Sequence, residues 1–272
     1  MAKIRTFFVY LILSFGAIAM MLPFYWMLIT AFKAPAEAIS MPPTWWPREF
    51  HWRNFVEAWN QVPWLRYFFN TALIAVLTLT GNLITSILAA YPLAIIKFKG
   101  RDKIFLLFLA TMMIPMPVYI IPGYLILTYL GWIDTYAALI VPWMVNVFSI
   151  FLLRQHIKTI PSELWDAARI DGCSRFRFLW QIVVPLIKPA IATIAIFSIV
   201  SSWNSFLWPL VVTNSKYLRP IQVGLAYFTQ EQSTDYTLLA AAATFTIVPL
   251  IVLFLFAQKH IISSFSRSGM KY

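Results

Sequence analysis

The chain has 272 residues, 61% hydrophobic and only 11% charged, whereas soluble domains run at about 45–50% apolar and about 25% charged. This excludes an ordinary soluble domain and points to an integral membrane protein. The formal net charge of +11 sits between long apolar runs rather than in one basic patch, which excludes nucleic acid as a partner, and the single cysteine, Cys173, excludes an internal disulfide.

Charge-free runs cover residues 6–32, 67–96, 104–133, 135–153, 189–215 and 236–258. Each is long enough for a helix of about 20 residues across the hydrocarbon core. None alternates as a barrel strand does. The predicted fold is all-α: a polytopic membrane protein of six transmembrane helices forming one domain over 1–272. The first run is too long for a leader's apolar region and lacks a small-residue cleavage site, so it reads as an anchor.

The segment 33–66 follows as a long loop containing "MPPTWWPREFHW". Trp45, Trp46, Trp52, Trp59 and Trp64 are spaced as interfacial aromatics, with docking of a soluble partner as the sharper alternative. The second run carries Asn82 and Ser86, read as interhelical hydrogen-bonding groups, as is Asn146 in the fourth. The third holds "MIPMPVYIIPGY" (113–124). Prolines at membrane depth, Pro23, Pro92, Pro115, Pro117, Pro122, Pro142, Pro209 and Pro249, each remove a helix hydrogen bond and favour a kink. The fifth run includes "SSWNSFLWPL" (201–210). There Trp203, Asn204 and Ser205 offer an indole face beside an amide and a hydroxyl, the groups a sugar would stack on and bond to. Interhelical bonding is the competing explanation.

Fifteen of the 21 Lys and Arg residues fall at the N-terminus, in 97–103, in 154–188 and in the tail 259–272, together with only four acids. The opposite loops hold six bases and six acids. The whole net charge therefore lies on one face, which the positive-inside rule makes cytoplasmic, with both termini inside. No Asp, Glu, Lys, Arg or His lies within the six runs. A proton-coupled carrier ordinarily keeps such a group at membrane depth. Sodium coupling through carbonyls and hydroxyls at broken helices stays open, but the simpler expectation is that energy enters through another protein. The chain has no G-x-x-x-x-G-K-[ST] phosphate loop of its own.

The cytoplasmic segment "PSELWDAARIDGCSRF" (161–176) predicts a helix of about ten residues, capped by Ser162, with Glu163 and Asp166 in its first turn and Gly172 beyond its end. Leu164, Ala167, Ala168 and Asp171 share one face. So short a helix is marginal alone in water and must dock, on its own membrane domain or on a partner.

"DAARIDGCSRFRFLWQIVVPLIKPAI" resembles the EAA loop of ABC importer permeases, with Asp166 where the family usually has Glu, then Ala167, Ala168 and Gly172, and later Pro185, Leu186 and Pro189. The likeness extends over nearly the whole chain. "SSWNSFLWPLVVT", "PIQVGLAYF", "LLAAAATFTIVPLIVLFLFAQKHI" and the terminal "SGMK" resemble the carbohydrate-uptake subfamily, on the side of the six-helix second permease of maltose-type transporters. The resemblance implies half of a translocation pathway shared with a second permease. It further implies two cytoplasmic ABC ATPase subunits that hold the ATP-Mg, an extracytoplasmic sugar-binding protein and a home in the bacterial inner membrane. This chain would be neither an enzyme nor the carrier of a cofactor. Glu163, Asp166, Ala167, Ala168, Asp171 and Gly172 would form the joint to an ATPase, and Gly269 and Lys271 of the tail would reach toward the ATPase dimer. The loops 33–66 and 216–237 would face the binding protein. An ion-coupled carrier acting alone is the alternative, and a non-transport membrane scaffold a more distant one.

Overall fold

A computed structural model of the chain describes residues 2–229 and 234–269. Every regular element among the described residues is helical. In chain order, those of five residues or more are α1 (Ala2–Ala31), α2 (Arg53–Gln61), α3 (Trp64–Ile95), α4 (Arg101–Thr111), α5 (Met116–Tyr129), α6 (Tyr136–Ile140) and α7 (Val147–Ile157). They continue as α8 (Ser162–Ile170), α9 (Arg175–Leu186), α10 (Lys188–Trp203), α11 (Leu207–Val212), α12 (Ile221–Leu225) and α13 (Tyr236–Gly269).

Four stretches are long and apolar enough to cross a bilayer: Arg5–Ala31, Trp64–Ile95, Tyr136–Ile157 and Tyr236–Phe256. Two bent pairs, α4 with α5 at 97° and α9 with α10 at 76°, raise the number to six if each pair makes one crossing. The third apolar run is thus broken rather than straight. Its break, residues 112–115, ends at Pro115, which stands at the cap position of α5 with Pro117 just inside the helix. Proline disfavours helical backbone in the residue before it, so α4 stops short of Ile114. At the second bend Pro189 lacks the N–H that would bond the carbonyl four residues back. The turn before that bend, Leu179–Val183, is wound as a π-helix, a form found mostly as single turns within α-helices.

The helices fall into two compact units. One takes the chain up to Trp64 together with Gly224–Ile251. Within it, α1 is apolar on all sides and almost wholly exposed over residues 5–24, as expected of a helix bathed in lipid. The segment after it is folded rather than loose. Asn54 Nδ2 donates to the carbonyls of Ala31 and Lys33 at 2.9 and 2.8 Å, taking up the unpaired end of α1. Lys33, 1% exposed, donates to the Thr44 carbonyl and lies 4.3 Å from the Trp26 ring centre. Phe32 gathers Phe50, Trp52 and Phe55 around it. Trp45, Trp46 and Trp52 are exposed, as interfacial aromatics should be, but Trp64 is 1% exposed. Its indole N–H donates to the Ala58 carbonyl at 2.8 Å and its ring meets Phe228 and Phe245, so it is a core residue.

The other unit takes Leu65–Val223 and the chain from Val252 onward. Its largest core brings Leu93 of α3, Phe105 of α4 and Leu153 and Ile157 of α7 together with Ala168 of α8 and Phe178 and Val183 of α9. A second core joins Ile74, Leu127, Leu139, Trp208 and Val212.

Candidate functional site

A cavity of about 710 Å³ opens within the second unit, a size typical of small-molecule sites, which run about 300–1,000 Å³. One wall is a single face of α3, carrying Thr71, Ile74, Thr78 and Asn82 at the spacing of helical turns. The rest comes from backbone that has left the helix: Asn146 after the 141–143 turn, and Asn204 and Ser205 between α10 and α11. Irregular backbone at membrane depth survives only where protein or a wet cavity satisfies it, and both breaks border this one. The first break is seated on α3. Thr85 Oγ1 donates to the Met144 carbonyl at 2.6 Å. Gly81 leaves room for Met144, since a Cβ there would lie 2.3 Å from Met144 Cγ.

Among the described residues, no acidic, basic or histidine side chain lines the cavity. Its polar groups are amides and hydroxyls. Asn82 Oδ1 accepts from Ser86 within the same helix, and Asn146 Oδ1 accepts from the Ser149 N–H at 3.0 Å and so caps α7. Neither makes the interhelical bond expected from the sequence, because each finds a nearer partner on its own segment, and both line the cavity instead. The Thr78 hydroxyl, on a residue 6% exposed, has no hydrogen-bond partner among the described residues. Such a group costs about 1–3 kcal/mol if left unsatisfied, so it awaits water or a ligand hydroxyl.

The predicted pathway residues divide. Asn204 and Ser205 line the cavity. Trp203 is buried elsewhere, its ring 6.3 Å from Phe68. The indole places are taken by Trp208 and Trp143, which meet edge to face at 5.8 Å. Trp208 is fixed by an N–H donated to the Ala138 carbonyl at 2.9 Å. Sequence reasoning missed these two rings and the α3 stripe. The stripe was detectable as Thr71, Thr78 and Asn82 recurring on one helical face. Which of the neighbouring Trp203 and Trp208 faces inward was not, because a broken helix loses its period.

At the far end of α3, α8 forms as predicted with a one-residue shift. Ser162 is the first helical residue rather than its cap, since Pro161 takes the cap position with no side-chain bond. The C-terminal end is closed as expected. The Gly172 N–H donates to the Arg169 carbonyl, the Cys173 N–H to the Ala168 carbonyl, and Gly172 has φ +72°. This is the paired closure that a left-handed glycine permits. Glu163, Asp166, Ala167, Asp171 and Gly172 are exposed, as are the apolar Leu164 and Ile170, the latter 87%. Ala168 is 5% exposed and packed in the chain's own core near Phe178, whose ring meets Trp165 at 4.9 Å. The helix therefore docks on its own domain through Ala168 alone of the face expected to act together, and leaves Leu164, Ala167 and Asp171 exposed beside it. Gly269 ends α13, and Lys271 lies outside the described residues.

The family model described as "Binding-protein-dependent transport system inner membrane component" matches residues 81–267. The arabinooligosaccharides transport system permease protein AraQ of Bacillus subtilis is 36% identical over 208 residues, 76% of this chain and 74% of that protein. The probable ABC transporter permease protein YurM of the same organism is 33% identical over 269 residues, 97% and 88% of the two chains. A solved chain of a bacterial ABC transporter involved in import of the acidic polysaccharide alginate superposes with TM-score 0.81 over 94% of this chain and 96% of that one, at 23% identity, and so shares the fold. The relatives are permease subunits of transporters, and this chain belongs to the family of binding-protein-dependent transport system inner membrane components.

Proposed function

We propose that this chain is one of two permease subunits of an ATP-driven importer that carries an uncharged carbohydrate across the inner membrane, with both termini in the cytoplasm and six crossings. The observation that carries the reading is the pairing of an uncharged, hydroxyl- and amide-lined cavity with a short helix, α8, that exposes apolar residues at the opposite end of α3. Without a titratable group the cavity has no means of taking up and releasing a proton, so the work must come from elsewhere. Two cytoplasmic ABC ATPase subunits supply it from bound ATP-Mg, and this chain holds no cofactor itself. The ATPase cleft receives the outward side of α8: Leu164, Ala167 and Ile170, flanked by Glu163, Asp166 and Asp171, with Gly172 turning the chain back. Ala168 serves the same joint from inside by anchoring α8 to the core. The tail at Gly269 and Lys271 extends toward the ATPase dimer.

On the opposite face, the segment after α1 and the loop preceding α13 meet a sugar-loaded binding protein, which the family's own description supports. Asn204 and Ser205, with Asn82, Trp143 and Trp208, hold the solute in transit, through ring stacking and hydroxyl hydrogen bonds. The fold neighbour's solute is described as acidic. The cavity in this chain offers no cation to pair with an acid, which favours a neutral solute such as an oligosaccharide. The lipid bilayer covers α1. The competing reading, an ion-coupled carrier acting alone, is tested by Ala167→Arg. That substitution on an exposed position should leave the chain in the membrane but abolish co-purification of the ATPase and ATP-dependent uptake. Normal uptake by this variant would refute the docking role.

A further inference from the structure

We propose that Arg154 is the positioning residue through which movement of α8 reaches the cavity wall, an inference that rests on α8 being the ATPase-docking helix. Arg154 lies in the last turn of α7, just ahead of α8, and is 4% exposed. A charge so buried is held only by close partners, and Arg154 has three, from two other helices. Its Nε donates to the Leu93 carbonyl at 2.9 Å, in the last turn of α3, where helix carbonyls lack intrahelical donors. Its Nη2 donates to Asp102 Oδ1 at 2.7 Å, in the first turn of α4. Its guanidinium carbon sits 3.8 Å from the centre of the Phe105 ring. Asp102 is the one acid in a segment that otherwise carries Lys97, Lys99, Arg101 and Lys103.

One planar, forked side chain thus pins the end of α3, the start of α4 and the end of α7 together. A lysine, with a single point charge, cannot reproduce both directions of donation. Leu153 and Ile157, on either side of Arg154, belong to the same apolar core as Ala168 of α8. The contact path therefore runs from α8 through this core, which also includes Leu93 of α3, and Arg154 locks that apolar path by its bond to the Leu93 carbonyl. The other end of α3 carries Thr71, Thr78 and Asn82 in the cavity wall. Apolar contacts can slide, whereas the charge-assisted bonds of Arg154 are directional and fix the end of α3 to α4 and α7, so losing them should weaken the displacement passed to the wall.

The test uses the full transport complex in proteoliposomes, with Cys173→Ser and the assembly's other cysteines replaced. A nitroxide is attached either at Arg169→Cys on α8, an exposed residue outside the proposed docking set, or at Thr80→Cys on α3, a residue outside the cavity lining. In the parent, ATP with vanadate should change the spectra at both sites. In Arg154→Gln the Arg169 response should persist, whereas the Thr80 response should fall by about fivefold, within the range seen for coupling residues. Should Arg154→Gln fail to accumulate, Asp102→Asn decides. It keeps an acceptor oxygen on a largely exposed side chain and should give the same split at smaller amplitude. Loss of both responses together, or of neither, would overturn the proposal. An Arg169 site that ignores nucleotide in the parent would instead refute ATPase docking at α8, and this inference with it.

Discussion

Gly172 closes α8 through a single left-handed backbone angle. At φ +72° a residue with a Cβ pays about 1–2 kcal/mol, with Asn tolerating the region best after Gly. Gly172→Asn should therefore retain ATPase co-purification, whereas Gly172→Val, β-branched and strained there, should lose most of it. Nothing stands within 4 Å of a Cβ at this position, so the expected loss comes from the backbone and not from crowding. Lys33 is the second informative residue. Burial holds its pKa below the ordinary 10.5, opposed by the neighbouring Glu37 carboxylate. The folded value lies below the unfolded one, so between the two the unfolded chain binds more protons. Stability should thus rise as pH climbs through the lowered value toward 10.5 and level off above it. Tryptophan fluorescence during urea unfolding across that alkaline window should show the rise in the parent and not in Lys33→Met.

Among the elements, α8 and the break at 144–146 offer the most direct tests by substitution. Ala167 and Ala168 are adjacent and chemically identical, yet one is exposed and the other lies in the core. Ala168→Arg should lower the amount of folded protein in the membrane, because it forces a charge into an apolar cluster. Ala167→Arg should leave that amount unchanged. Quantifying both variants in isolated membranes separates the two. Gly81→Leu should push Met144 out of its seat and cost about 1–3 kcal/mol, as overpacking does, with a lowered midpoint in a detergent melt. The existence of α8, its glycine closure and the apolar runs were all legible in the sequence, since capping residues and long charge-free stretches act locally. The bends were legible only as prolines. Whether a proline kinks, caps or starts a helix depends on the neighbour that takes up the freed carbonyl. The inward-facing Trp208 and the buried Trp64 were not legible, because each is fixed by a carbonyl brought close by tertiary folding.

At the scale of the whole molecule, two facts of the sequence bear on the account: positive charge on alternate loops and none within the long apolar runs. The ion pair between Arg154 and Asp102 agrees with the first, since it joins two loops that the charge count assigned to one face. The uncharged cavity agrees with the second. Neither fact discloses which solute is carried, because hydroxyls and amides bond to any sugar, and discrimination between sugars requires the full set of groups around the ring. The central claim is that an uncharged cavity is worked by ATP from outside this chain. Uptake of radiolabelled arabino-oligosaccharide or another neutral sugar into proteoliposomes, by the complete complex and by this chain alone, tests it most directly. The account predicts uptake that requires ATP and the loaded binding protein and is unaffected by ionophores. Transport by this chain alone, driven by a proton or sodium gradient without ATP, would contradict it.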